Sequence, residues 1–267
     1  MTTRREILAA MGGVGLAATW SEAHAAPAKA DAKDESARDL YELRRYHVET
    51  DEQKSGLDAY LRDAAIPALN RLGVSPVGVF YPEDKALKVV YALLRHKTAD
   101  SLLTTGHKLQ ADADYLKAGA SFLDAPAEKP AYKRVESSVL YAFKGMPEIE
   151  TPPKSAGRIL QLRIYESPSV KTNLKKIEMF NDAGEIPLFR KVGLHPVFFG
   201  QAIFGDKLPN LTYMLAFESH AELDANWKKF VESPEWQALK GRAEYSDKKI
   251  LSGITNIVLT PAEYSQV

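Results

Sequence analysis

The chain has 267 residues, with 35 Lys and Arg against 35 Asp and Glu, three Trp and no Cys. Zero formal charge argues against a protein built to neutralise nucleic-acid phosphates. The lack of a thiol excludes disulfides, iron–sulfur clusters, zinc ribbons and a cysteine nucleophile.

Residues 1–25 read as an export signal. Arg4-Arg5 precedes a mildly apolar run from Ile7 to Thr19, and Ala23-His24-Ala25 offers a small-x-small cleavage pattern. The paired arginines resemble the twin-arginine export signal of bacteria, which implies a mature chain in the periplasm or outside the cell. An ordinary secretory signal is the alternative. The Gly12-Gly13-Val14-Gly15 cluster disfavours a core helix, because each glycine costs up to about 1 kcal/mol there. The run also falls short of the roughly 20 apolar residues that span a membrane, so no stable transmembrane segment is expected. Residues 26–39 are rich in Ala, Lys, Asp and Glu without apolar period, which predicts a flexible tether.

The remainder is one unit written twice, 40–143 and 159–265, joined by a Pro- and Gly-bearing linker at 144–158. Tyr41-Glu42-Leu43-Arg44-Arg45-Tyr46 returns as Leu160-Gln161-Leu162-Arg163-Ile164-Tyr165, and Ile66-Pro67 through Val77 returns as Ile186-Pro187 through Val197. Tyr91 is matched with Tyr213, His107 with Trp227, and Val139-Leu140 with Val258-Leu259. In the second copy an alternating strand puts Leu160, Leu162 and Ile164 on one face and Gln161, Arg163 and Tyr165 on the other. A helix follows, with Val170, Leu174, Ile177 and Phe180 as its apolar stripe. Gly184 and Pro187 interrupt it, and a short helical piece ends before Gly193. Two strands, His195 to Ile203 and Leu211 to Phe217, are expected to pair antiparallel. Ser219 then caps a helix carrying Leu223, Trp227 and Phe230, Ser233-Pro234 starts another turn, and Ile254 to Leu259 is the last strand.

The order βαββαβ is the ferredoxin-like unit. Each such sheet is covered by helices on one face only, and the bare face must be buried. The predicted class is therefore α+β, with two ferredoxin-like repeats packed sheet to sheet as a fused, pseudo-dimeric barrel. Two independent domains on a string are the alternative.

The second copy resembles the NIPSNAP family. The resemblance is carried by Leu162-Arg163-Ile164-Tyr165-Glu166, Met179-Phe180-Asn181, Gly184-Glu185-Ile186 and Phe189-Arg190-Lys191-Val192-Gly193-Leu194. It continues in Pro196-Val197-Phe198-Phe199-Gly200, Leu208 to Phe217, Ile254 to Leu259, and Tyr264-Ser265. It implies the dimeric α+β barrel fold, whose superfamily holds cofactor-independent monooxygenases, small isomerases and some haem enzymes. The family has no firmly assigned reaction, and its eukaryotic members are linked to mitochondria and protein recruitment.

The candidate site residues follow from the duplication. Arg44 and Tyr46 recur as Arg163 and Tyr165, and a guanidinium beside a phenol can hold a carboxylate or enolate. The structural alternative is a duplicated seam, in which each arginine pairs with an acidic neighbour such as Glu42. Glu185 and His195 are peculiar to the second copy, where Ala65 and Ser75 stand in the first. They form a candidate base and orienter, with a surface histidine and a helix-terminal glutamate as the alternative. Tyr213 and Asn256, on the third and last strands of that copy, complete the candidate pocket. His47, His107 and His220 lack metal-ligand spacing, so no metal is expected. No cofactor is expected either, with haem on His107 as the alternative. Two functions stay open: a non-catalytic module of the cell envelope binding a small ligand or a protein, or a cofactor-independent enzyme with its pocket in the second repeat. A homo-oligomer is compatible with both.

Replacing Arg4 and Arg5 together by lysine is expected to hold the precursor in the cytoplasm, as read by cell fractionation. Undiminished export would move the chain to the general secretory route.

Overall fold

The computed structural model describes residues 37–267. The export signal and nearly all of the expected tether lie outside the described residues. The tether's last position belongs to the fold instead. Asp39 is buried, and its carboxylate accepts from Arg95 Nε at 2.7 Å and from the Ile149 amide at 3.1 Å.

Each repeat folds as its pattern requires. The first contributes β1 (Leu40–His47), α1 (Asp51–Tyr60), a π turn (Leu61–Ala65), α2 (Ile66–Arg71), β2 (Val77–Pro82), β3 (Val89–His96), α3 (Ala99–Gln110), α4 (Ala113–Leu123) and β4 (Arg134–Ala142). The second contributes β5 (Ile159–Glu166), α5 (Val170–Asn181), α6 (Glu185–Lys191), β6 (His195–Phe204), β7 (Asn210–Phe217), α7 (His220–Glu232), α8 (Pro234–Lys240), α9 (Asp247–Ile250) and β8 (Gly253–Pro261). Helix starts are set by side-chain caps at matching places. Thr50 and Ser169 cap α1 and α5, Thr98 and Ser219 cap α3 and α7, and Asp112 and Ser233 cap α4 and α8. Gly73 and Gly193, both at positive φ, end the matching helices α2 and α6.

The strands close in the order β1-β3-β2-β8-β5-β7-β6-β4, every neighbouring pair antiparallel. Each half has the same internal order, with its first strand central and its second and fourth strands at the edges. Two junctions join the halves. In one, Phe80 to Pro82 of β2 pair with Leu259 to Pro261 of β8, and in the other β4 pairs with β6. The bare faces turn inward and share one core, which includes Tyr41, Leu43, Phe80, Leu162, Phe198, Met214 and Leu259. Val267 is buried in it as well, so the final residues fold back against the barrel. Each outer face is covered by its own helices over a separate apolar core.

The register corrects two of the expected matches. Arg44 lies opposite Ala92, whereas Arg163 lies opposite Tyr213. The counterpart of Tyr213 is therefore Ala92; Tyr91 points into the barrel. Counting from the caps Thr98 and Ser219, the counterpart of Trp227 is Gly106 and not His107. The cause is a difference of one residue in the connecting loops, and a slip of one along a strand turns a side chain to the opposite face. Among the described residues no helix is long and apolar enough to cross a membrane.

Candidate functional site

The outer face of the second half carries a buried polar cluster. The alternation of β5 sends Arg163 and Tyr165 towards the helices, as their parity predicts, and β7 adds Tyr213 beside them. The Tyr165 and Tyr213 hydroxyls are 3.0 Å apart. Helix α5 contributes Lys176, and α6 contributes Glu185 at its first position, directly after Gly184 at φ +95°. Lys176 Nζ lies 3.5 Å from Glu185 Oε2, with side-chain exposures of 1% and 3%. Around them stand Phe180, Trp227 and Trp236. The Lys176 ammonium sits 5.2 Å from the Phe180 ring, 5.5 Å from that of Tyr165 and 5.7 Å from that of Trp236.

The cluster has hydrogen-bonding capacity to spare. An ammonium has three donors, and that of Lys176 reaches only the Met179 sulfur, at 3.3 Å, within hydrogen-bond distance. Glu185 Oε2, Arg163 Nε and Asn173 Nδ2 are buried without a hydrogen-bond partner. Most buried polar groups are satisfied, so the grouping of these atoms on the second half makes it the candidate site, although Tyr41 Oη and His96 Nε2 of the first half are also unpartnered. Burial pushes the Glu185 carboxyl up in pKa, helped by Asp247 and opposed by Lys176 and Arg163. Burial works against the Lys176 charge too, but Glu185 and Tyr165 outweigh it and hold the ammonium protonated. The result is a proton-seeking carboxyl beside fixed positive charge.

The first half serves as an internal control. The caps Thr50 and Ser169 place Leu57 where Lys176 stands, and the shared Ile-Pro step places Ala65 where Glu185 stands. Leu57, Ala65 and Ala92 are all buried apolar residues. The same framework thus folds without the cluster. The local difference is a single residue: the first half runs through its π turn, whereas the second breaks at Asp182-Ala183-Gly184.

The duplicated arginines also differ. They sit on the central strand of each half, so the expected seam is corrected: neither lies at a junction between halves. Arg44 is held by Glu42 through two bonds of 2.7 and 2.8 Å, with the Tyr46 hydroxyl at 3.5 Å. Although burial opposes it, the bonds from Arg44 and Ser137, with the His96 ring 3.7 Å away, hold the Glu42 carboxyl down at about 2. In the second half Gln161 replaces Glu42 and accepts from Trp227 Nε1 at 2.7 Å. Among the described residues no carboxylate pairs with Arg163, whose guanidinium instead lies 4.6 Å from the Trp227 ring and 5.4 Å from that of Tyr165.

Two of the expected pocket residues stand apart. Asn256 pairs with Arg163 across β8 but is exposed. His195 opens β6 at the barrel end, 64% exposed and 3.8 Å from Glu222. It lines a different cleft, of about 420 Å³, with Arg158, Arg190 and the linker residues Glu150 to Pro153. It therefore cannot orient Glu185. His107 is exposed near the end of α3 and offers no enclosed axial position, so the residues present do not fit haem. Among the described residues no group of three or more His, Asp or Glu is placed to hold a metal ion.

Lys176, Trp236 and Asp247 escaped the sequence reading. The apolar stripe assigned to α5 took Val170 and Leu174 as inward, yet these are 63% and 49% exposed. The helix is rotated so that Asn173, Lys176, Met179 and Phe180 are buried, Met179 against Leu239 and Tyr245. The available signal was the mismatch itself, because the same stripe in α1 buries Leu57.

Two sets of variants test these assignments. Lys176→Leu or Glu185→Ala alone should destabilise by about 3–5 kcal/mol, since each strands a buried charge. The double variant, which restores the residue types of the first half, should return to wild-type stability or exceed it. Urea denaturation measures both, and additive single effects would refute the pairing. Separately, Arg44→Ala should cost about 1–3 kcal/mol by leaving Glu42 unpaired. Arg163→Ala should cost only about 0.5–1 kcal/mol of cation–π contact, as read from thermal melts.

Comparison with known proteins supports this architecture. A candidate monooxygenase from Fusobacterium nucleatum is similar over 85% of this chain and 93% of its own, with 9% identity and a TM-score of 0.58. One from Lactobacillus acidophilus is similar over 84% and 94%, with 8% identity and a TM-score of 0.55. An anthrone oxidase-like protein is similar over 85% and 93%, with 9% identity and a TM-score of 0.52. At these identities the likeness establishes the fold alone. No curated protein matches the chain. The NIPSNAP family model matches residues 160–266, which are the second half of this barrel.

Proposed function

We propose that the second half-barrel is a small-molecule site that removes a proton from an enol- or phenol-type substrate and holds the resulting anion. The observation that carries this reading is the buried cluster in which Glu185 Oε2 and Arg163 Nε lack a hydrogen-bond partner and Lys176 has only a sulfur, at a place where the first half keeps Leu57 and Ala65. Glu185 is the base. Its Oε2 takes the proton from an acidic C–H or O–H, and the electron pair left on the substrate becomes an enolate or phenolate. Arg163 and Lys176 supply fixed positive charge to that anion, which is worth more in a water-poor site than in water. Tyr165, Trp227 and Phe180 border these charges with apolar ring surface.

The names of the structural relatives point the same way. An anion of this kind, once formed, can pass electrons to dioxygen without a cofactor, which suits proteins described as monooxygenases and as anthrone oxidase-like. If residues 1–25 direct export, the chemistry would run in the periplasm or outside the cell.

Anthrone is a suitable probe, because losing its proton gives a coloured anion. The protein should speed growth of the anion band on rapid mixing. Glu185→Gln should lower that rate by about 10²–10⁴-fold, the range of general base catalysis. The wild-type rate should climb as pH rises past the ordinary carboxylate range, because burial lifts the Glu185 pKa and only the ionised form accepts the proton. Equal rates for wild type and Glu185→Gln would remove Glu185 from the chemistry.

A further inference from the structure

The two junctions are shorter than the strands they join. On β8, pairing with β2 runs from Pro261 to Leu259 and ends at Val258, whose carbonyl accepts from the Glu83 amide at 3.0 Å. The chain then turns away, with the Leu87 amide bonded to the Asp84 carbonyl. Along its other side β8 stays paired with β5 as far as Gly253. Main-chain groups alternate sides along an antiparallel strand. The Ala262 amide and the Val258 carbonyl both face β2, so the amides and carbonyls of Asn256 and Ile254 face the same way. Among the described residues no strand or turn bonds to them. Ile254 is 51% exposed, and Asn256 is exposed as well.

The first half again supplies the contrast. There β4 sets Ser137 opposite Arg44, as β8 sets Asn256 opposite Arg163. Before Val139 the edge of β4 is likewise unpaired with β6, yet that stretch carries Arg134 and Glu136, joined at 2.8 Å, and His47 holds Glu136 as well. Gly253 and Thr255 stand in those places, and β8 has no charged residue from Gly253 to Pro261. Charged side chains guard an open edge, whereas an uncharged edge of Ile and Thr is a template for another strand.

We propose that this edge pairs with the same edge of a second copy of the chain, β8 to β8, antiparallel about a two-fold axis at Thr255. The register selects this occupant. It sets Ile254 opposite Asn256 of the second copy, and Asn256 opposite its Ile254. Each outward amide then meets an outward carbonyl, and the two residues of each copy together form four N–H···O=C bonds. Thr255 faces its own copy across the axis, a favoured cross-strand pair. Lys207, whose ammonium reaches Thr255 Oγ1 at 2.9 Å, is answered by Glu166 at 3.1 Å, so the axis brings no bare lysines together. An edge this short buries well under the roughly 800 Å² per partner of a standard interface, so the dimer forms and parts readily.

Sedimentation equilibrium of the full chain from about 10 µM to 1 mM tests this, in the range of a small interface. The average mass should climb from that of the monomer towards twice that value. Asn256→Pro removes an outward amide and spares the β5 ladder, and Ile254→Lys places a charge on the exposed edge. Each should weaken association by roughly tenfold or more while thermal melts stay near wild type. The chain has no Cys, so Thr255→Cys gives a direct readout. Mild oxidation should link two chains through that position, and Glu136→Cys, at the matching place of the first half, should not link. A monomer throughout the range overturns the proposal. So does association that survives both Asn256→Pro and Ile254→Lys, or equal linkage of the two cysteine variants. Uptake of an added Ile- and Thr-rich peptide by a chain that stays monomeric gives the edge to another protein and overturns the second copy as its occupant.

Discussion

Closure of the barrel is the constraint on which everything else depends. Each four-stranded sheet has one bare face and two open edges, and neither is tolerable in water. A single arrangement disposes of both: the faces enclose a common core, while β2 pairs with β8 and β4 with β6. Gly200 shows how close the second junction is. A Cβ there would lie 2.7 Å from the Leu140 Cβ. Because the junctions fix the two sheets, the helices on each outer face have a rigid floor, and it is on such a floor that buried charges can be held in place.

The two halves use that floor differently. Under the helices of the first half, Tyr46, Leu57, Ala65 and Ala92 form a conventional apolar packing, and the half-buried Arg44 is answered by Glu42. Under those of the second, larger aromatic residues surround charges that answer one another only loosely. Trp227 stands in place of Gly106 and Tyr213 in place of Ala92, so these two places of the second outer core carry rings that the first lacks. Divergence of this kind between copies on one framework separates what folds the chain from what the chain does.

Much of this was legible in the sequence. The strand alternation at Leu160 to Tyr165, the serine caps, and the Ile-Pro step at 66 and 186 report local rules that tertiary structure did not override. The placement of Arg163, Tyr165 and Glu185 also follows from parity and from the helix break. Two things were hidden. Loops that differ by one residue shift a register without leaving a local mark, which is why Tyr91 and His107 were matched wrongly. The rotation of α5 runs against hydrophobic period, because burying Lys176 rather than Leu174 makes sense only when Glu185, distant in sequence, is set beside it. His195 failed for a third reason: standing on the same repeat does not mean standing on the same face.

Fusing the halves has an energetic consequence. A barrel assembled from two identical chains repeats every side chain by symmetry. A buried Lys–Glu pair in such a dimer is desolvated twice, and each copy costs the assembly several kcal/mol before any compensation. Here the symmetry is broken within one polypeptide, so that cost falls on one flank while the other, with Leu57 and Ala65, contributes ordinary apolar burial. The linker at 144–158 is therefore more than a tether between like parts. It allows a chain of this size to carry a buried charge pair in one half while the other half keeps apolar residues in the matching places.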